Sequence, residues 1–262
     1  MIFFQHSSKF FSKNSAFSII HTEKGTSLHW HRAIEFMYVV NGEIKVTLNG
    51  TEYVAKNGDL VTINSSVVHS AMPTNKDIDY YILIANDEFF KSNGLVSEST
   101  FFSPLVNSNE ITNIFTEIIK EYESKDNFKD ASITALSLSL FIHLNRHHTE
   151  NKKVSENIYS KKITAVRDTI DYINTNYKNK LSIDEIANNM HFSKSYLSHV
   201  FKNVTGYSIV DYINAIRCQN ARMLILDGLS IKEASFECGF LDVSYFTRIF
   251  KKTMGILPSN VK

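Results

Sequence analysis

Apolar and polar positions along the chain follow two different periods. From about residue 17 to residue 84, short β-rich runs such as Glu35-Phe36-Met37-Tyr38-Val39-Val40, Ile44-Lys45-Val46-Thr47-Leu48 and Leu60-Val61-Thr62-Ile63 alternate with Asn41-Gly42, Asn49-Gly50 and Asn57-Gly58. Asn-Gly accepts positive φ at both residues, so each pair between apolar runs predicts a hairpin. Three such pairs at eight-residue intervals predict a meandering sheet or a small barrel. From about Asn109 the period lengthens. Ile111, Ile114, Phe115, Ile118 and Ile119, then Ile133, Leu136, Leu138, Leu140, Phe141 and Leu144, recur at mostly helical steps and predict two amphipathic helices. The polar stretch from His147 to Lys162 reads as a linker.

Beyond the linker the helical text contains itself twice. Leu181-Ser182-Ile183-Asp184-Glu185-Ile186-Ala187 is echoed 48 residues later by Leu229-Ser230-Ile231-Lys232-Glu233-Ala234-Ser235. In each copy Ser stands three residues before Glu, the spacing of a capping box, and Leu181 can staple onto Ile186. The echo continues with His191-Phe192 against Gly239-Phe240, and Ser195-Tyr196-Leu197 against Ser244-Tyr245-Phe246; one extra residue in the second turn moves the offset to 49. Both copies close on Phe-Lys and Gly: Phe201-Lys202 with Gly206, and Phe250-Lys251 with Gly255. Each copy predicts a helix, a tight turn and a second helix, the layout of a helix-turn-helix. In the second helices Leu197, Val200 and Phe201, and Phe246, Ile249 and Phe250, form a stripe for burial. The opposite faces carry small hydrogen-bonding residues and cations, suited to base edges and phosphates. Ser208 to Leu226 reads as one long helix, a stiff spacer that could set the two units about one DNA turn, roughly 34 Å, apart.

The composition agrees with folded domains. The 262 residues are 43% hydrophobic and 12% aromatic with 3 Pro, which excludes disorder as the main state. The net charge of +1 argues, taken whole, against a nucleic-acid partner. Divided at Ser160 it becomes 14 Lys and Arg against 9 Asp and Glu after the cut, a net of +5, and 14 against 18 before it, a net of −4. An acidic β half and a basic helical half point to an anionic partner for the second. No stretch approaches the roughly 20 apolar residues of a membrane span. The start, Met1 to His6, lacks the pattern of a secretory leader, so the expected location is the cytoplasm. Cys218 and Cys238, the only cysteines, read as small buried residues rather than a disulfide.

Residues from about 164 to 260 resemble the DNA-binding domain of the AraC/XylS family of bacterial transcription regulators. The matching text is Gly206-Tyr207-Ser208, Tyr212, Arg217, Ala221, Leu224, Gly239-Phe240, Ser244-Tyr245-Phe246, Arg248, Phe250-Lys251-Lys252, Gly255 and Pro258. The resemblance implies two helix-turn-helix units in successive major grooves. It places Ser195, Ser198 and His199 of the first unit, and Val243, Ser244, Thr247 and Arg248 of the second, against the bases. Lys194, Lys202, Lys251 and Lys252 are the expected phosphate contacts. Two departures stand out: Ser235 where the family usually has Ala, and a final Val261-Lys262 where an aromatic residue and Arg are common.

The most chemical passage of the β half is His29-Trp30-His31 followed by Glu35 and Gly42. On an extended strand, His29, His31 and Glu35 would share one face. With His69 after Gly58-Asp59 they resemble the two cupin motifs, whose three His and one Glu can hold a divalent metal inside a small barrel. The second motif departs from the cupin pattern, with Asn64 and Ser66 where Pro and Gly are usual. In cupin-like sensor domains of AraC-type regulators, the same inward positions often line an effector pocket without metal. The favoured expectation is therefore a pocket for a small polar molecule, a sugar among the candidates, with no cofactor; a metal at His29, His31, Glu35 and His69 is the alternative. Trp30 and Tyr38 would pack outside or beside the cluster.

The expected architecture is α+β and multidomain. It comprises a cupin-like β-barrel sensor (residues 1–103), a helical connector for dimerisation (104–148), a linker (149–163), and an all-α domain with two helix-turn-helix units joined by a long helix (164–262). The expected function is a non-enzymatic, effector-controlled regulator that binds promoter DNA as a homodimer, with RNA polymerase as a candidate partner and no membrane. The competing expectation is a metal-dependent cupin enzyme or metal sensor fused to a DNA-binding domain.

Overall fold

Alternation along residues 34–39 sends Ile34, Phe36 and Tyr38 to one side of a strand and Glu35, Met37 and Val39 to the other. In the computed structural model, which describes residues 17–75, 77–95, 101–150 and 161–261, both sides are buried. The strands are β1 (Phe17–Thr22), β2 (Thr26–His29), β3 (Ile34–Asn41), β4 (Glu43–Leu48), β5 (Thr51–Lys56), β6 (Leu60–Ile63), β7 (His69–Pro73), β8 (Asp79–Ala85) and β9 (Leu105–Val106). They form a five-stranded sheet in the order β1-β8-β3-β6-β9 and a four-stranded sheet in the order β2-β7-β4-β5. Met37 and Val39 share one core with Ile44 and Val46 of β4, Ala71 of β7, and Ile82 and Ile84 of β8, so apolar side chains fill the space between the sheets.

The β half is cupin-like as expected, and its two sheets do not close into one barrel. The Asn-Gly pairs show why. Asn49 and Gly50, with φ of 47° and 88°, close a two-residue hairpin between paired β4 and β5. Asn41-Gly42 and Asn57-Gly58 instead pass the chain from one sheet to the other. At Gly42 a Cβ would meet the Asp77 carbonyl oxygen at 2.6 Å, so this crossing requires glycine.

Helices α1 (Asp87–Ser92), α2 (Asn109–Glu123) and α3 (Lys129–His147) follow. Ser108 caps α2 by accepting from the Ile111 amide. Phe115 and Ile118 of α2 and Leu140, Phe141 and Leu144 of α3 join Ile34, Phe36 and Tyr38 in a second core on the outer side of the five-stranded sheet. The boundary expected at residue 103 is thus no break. β9 belongs to the sheet, and the two helices complete its core.

The chain divides into two compact units, one built mainly from residues 30–150 and the other from residues 161–261. Residues 151–160, most of the expected linker, lie outside the described residues, and helix α4 (Lys161–Asn176) already begins within the expected linker's last residues. The second unit continues with α5 (Ile183–Asn189), α6 (Lys194–Thr205), α7 (Ile209–Leu226), α8 (Ile231–Glu237) and α9 (Val243–Met254). α5-α6 and α8-α9 are the two helix-turn-helix pairs, and α7, with 18 residues, spans about 27 Å between them. Both second helices end at a left-handed glycine, Gly206 and Gly255.

Leu197, Val200, Phe201, Phe246 and Phe250 are buried as their spacing predicts, whereas Ile249 is only partly covered. The capping box is complete in the second copy alone, where Ser230 and Glu233 exchange bonds. In the first copy Ser182 accepts from Glu185, but the Glu185 carboxylate accepts the Tyr172 hydroxyl instead. The extra residue of the second turn is Leu241. It stands between Phe240 and the cap Asp242, where Phe192 is followed directly by the cap Ser193, and it is 84% exposed. Ser235 is fully buried and donates to the Lys232 carbonyl, so its hydroxyl costs the packing little. Val261 packs on the core of the second helix-turn-helix, with Phe246 and Phe250; Lys262 lies outside the described residues. Burial pushes the thiols up, Cys218 to about 12 and Cys238 to about 11, which suits small packing residues.

Candidate ligand site and DNA-reading surfaces

His29, His31, Glu35 and His69 come together, each less than 10% exposed. One donor atom from each lies within 4.8 Å of the others. They do not share one strand, as an extended reading would have it. β2 ends at His29 in the four-stranded sheet, the chain turns through residues 30–33, and Glu35 lies on β3 of the five-stranded sheet. Glu35 points between the sheets with Met37 and Val39, and His69 with Ala71.

The His31 and His69 rings meet edge to face with centres 5.0 Å apart. His31 Nε2 is 3.0 Å from Glu35 Oε2, and His69 Nε2 is 3.6 Å from the same oxygen. The opposite ring nitrogens face backbone carbonyls: His31 Nδ1 that of Ala33 at 3.0 Å, and His69 Nδ1 that of Val67 at 2.8 Å. Burial alone would raise the Glu35 pKa, but the contacts with His31 and His69 outweigh it and hold the carboxyl below its usual range. Tyr80, buried in the same interior and donating to the Lys24 carbonyl, is pushed above the usual phenol range by burial and by the Glu35 charge. No sequence motif marks Tyr80. Tyr38 stacks on Phe115 outside this interior, and Trp30 is half-buried.

The two departures from the cupin pattern have structural roles. Ser66 takes the left-handed conformation (φ 65°) that glycine would, and its amide donates to the His31 carbonyl. The Asn64 amide donates to the Phe102 carbonyl and accepts from the Phe102 N–H, two bonds that proline could not make.

In the second unit the expected base-facing residues lie on α6 and α9. Ser195, His199, Ser244 and Arg248 are exposed, and Ser198, Val243 and Thr247 half-buried. His199 bonds the amide of Asn203, Thr247 donates to the Val243 carbonyl, and the Arg248 guanidinium lies 5.4 Å from the centre of the Tyr245 ring. Of the expected phosphate contacts, Lys202 and Lys251 are exposed. Lys194 pairs with Asp184 at 2.8 Å and Lys252 with Asp211 at 3.5 Å, and both pairs are exposed and so weak. Asn203, Tyr196 and Tyr245 join these faces without having been singled out in the sequence, where Tyr196 and Tyr245 read only as parts of the repeat.

The comparisons with known proteins agree with a ligand-binding unit followed by a helix-turn-helix unit. A family model described as an AraC-like ligand binding domain matches residues 15–141, and one described as a helix-turn-helix domain matches residues 186–262. The chain is 25% identical over 250 residues to the HTH-type transcriptional regulator YdiP of Escherichia coli, covering 92% of this chain and 81% of the relative. It is 24% identical over 247 residues to the HTH-type transcriptional activator RhaR of Salmonella dublin, covering 88% and 85%. A crystal structure of ToxT from Vibrio cholerae with an unsaturated fatty acid bound has the same overall fold. Its TM-score is 0.53 at 16% identity, over 95% of each chain.

Proposed function

As a member of the AraC-type helix-turn-helix regulators with an N-terminal ligand-binding domain, the chain binds DNA, and we propose that α6 and α9 read two unlike half-sites in a promoter. The observation that carries this reading is the repeated unit itself, with polar side chains exposed at matching positions, Ser195 and Ser244, on helices whose opposite stripes are buried. The relatives and both matched domains are those of transcriptional regulators, a non-enzyme family. No helix among the described residues is long and apolar enough to cross a membrane.

In this reading Ser195, Ser198 and His199, and Val243, Ser244, Thr247 and Arg248, face bases, while Lys194, Lys202, Lys251 and Lys252 meet phosphates. The protein acts as a homodimer, and a ligand at His29, His31, Glu35 and His69 shifts its affinity for DNA or its contact with RNA polymerase. Such control requires the ligand to bind the two arrangements differently. The ToxT relative holds a fatty acid; the four polar side chains here suit a small polar or cationic ligand instead.

Gel-shift titration on DNA flanking its own gene tests the assignment. Arg248→Ala is expected to weaken specific binding by about 1 to 3 kcal/mol and to relax the preference at one position. Equal loss on every sequence would remove Arg248 from base reading. Lys202→Ala is expected to weaken all sequences alike and to reduce the slope of log affinity against log salt by about 1. An unchanged slope would take Lys202 off the phosphates.

A further inference from the structure

The last turn of α3 gathers three imidazoles that its packing does not use. Leu140, Phe141 and Leu144 supply the side of the helix that joins the core. His143 and His147 stand one turn apart on another face, and His148 caps the helix end. The ring centres are 4.9 Å apart from His143 to His147, 5.4 Å from His143 to His148 and 6.5 Å from His147 to His148. His143 Nε2 is buried and has no hydrogen-bond partner among the described residues, a cost that packing alone leaves uncompensated.

A helix C-terminus favours one imidazolium, but three charged rings this close would repel one another. The His148 pKa is accordingly lowered, by burial first and then by His143 and His147, against the pull of Glu110 at the start of α2. Neutral imidazole is the form that binds a metal. A nitrogen bound at about 2.0 to 2.1 Å sets its ring centre about 3.2 Å from the ion, so two ligating rings have centres roughly 4.5 to 5.2 Å apart at right or tetrahedral angles. Both separations from His143 are close to this size. The exposed His147 ring can rotate to close the third.

We propose that His143, His147 and His148 form a site for one divalent late first-row transition ion, of the zinc, nickel or copper type. Imidazoles suit these ions, whereas magnesium and calcium take oxygen donors. The helix carbonyls and the Glu110 charge both favour a cation here. The site is separate from His29, His31, Glu35 and His69, which lie between the sheets, while α3 packs on the outer side of the five-stranded sheet. A bound ion ties the last turn of α3 to the residue that follows it. There the backbone pairs with residues 101–103: Ser103 donates to the His148 carbonyl, Glu150 to that of Phe101, and Phe102 bridges to Thr149. The ion therefore stabilises the end of the first unit in its folded form.

The test titrates the full chain, stripped with chelator, with Zn(II) and Ni(II), beside His147→Ala and His148→Ala. Each variant is expected to weaken binding at this site at least about 10-fold, since loss of even an outer support costs that much. His147 is exposed, so its removal leaves the fold intact. The binding that His147→Ala loses is expected to fall more than about 10-fold between roughly pH 7.5 and 5.5, as the rings gain protons, whereas carboxylate ligands would change little. Zn(II) is expected to raise the thermal midpoint of the first unit in the unaltered chain more than in His147→Ala. Titrations of both variants that match the unaltered chain overturn the site, whether the ion is then held by His29, His31, Glu35 and His69 or not at all. Insensitivity of the lost binding to pH overturns it as well.

Discussion

Gly239→Ala is expected to destabilise the DNA-binding unit by about 2 to 5 kcal/mol and to abolish DNA binding at ordinary temperature. Two costs add. Gly239 has φ of 83°, where an alanine is strained by about 1 to 2 kcal/mol. The new Cβ would also stand 2.6 Å from the Lys178 carbonyl oxygen and 2.8 Å from that of Tyr177. Those carbonyls cannot easily retreat. Arg217 holds the same turn through Nε to Tyr177 and a terminal nitrogen to Asn179, both at 2.8 Å, and lies over the Phe240 ring. Overpacking against fixed neighbours costs roughly a further 1 to 3 kcal/mol. Gly206→Ala supplies the control, since Gly206 also has positive φ (76°) but no atom within 4 Å of the place its new methyl would take. Calorimetry of both variants decides: equal losses would show that backbone strain, not the close approach to Tyr177 and Lys178, makes Gly239 necessary.

Phe141→Ala is expected to cost the first unit about 3 to 5 kcal/mol, the usual range for emptying a buried aromatic site. Phe141 is 1% exposed, with ring centres 4.3 Å from Phe90 and 5.3 Å from Phe102. It therefore fastens α3 to α1 and to the segment bonded to Asn64. The exposed Phe128, at 77%, is the reference, and its change to alanine is expected to stay within about 0.5 kcal/mol. Urea unfolding followed separately for the two units checks both. A Phe141→Ala loss below about 1 kcal/mol would mean that the helices are not part of this unit's core.

The helical unit was legible because its signals are local and occur twice. Caps, apolar stripes and closing glycines are all set within a few residues of one another. What escaped was set at a distance. The capping box of the first copy is incomplete because Tyr172, thirteen residues before Glu185, takes the carboxylate. In the β half, local turn chemistry is the same at Asn41-Gly42 and Asn49-Gly50, yet only the latter joins paired neighbours. Pairing of β3 with β6 and β8, which no local pattern encodes, decides where the other crossing leads. The four-residue cluster was visible from motif spacing, although its members meet across two sheets rather than along one strand. Asn64 looked like a lapse from a motif because its partner, Phe102, is 38 residues away.

The second helices of the two pairs, α6 and α9, are alike in backbone and unlike in sequence. Lys194 opens α6 where Val243 opens α9, and Leu241 has been added ahead of the second. A symmetric protein reads a palindrome, which looks the same from either end. On the proposed assignment one chain reads a sequence that does not, so each bound chain, whatever the symmetry of the dimer, has a heading along the duplex. Inverting its target would then present the opposite flank of the protein to whatever is assembled at the start of transcription, and a promoter could distinguish the two orientations without any change in affinity.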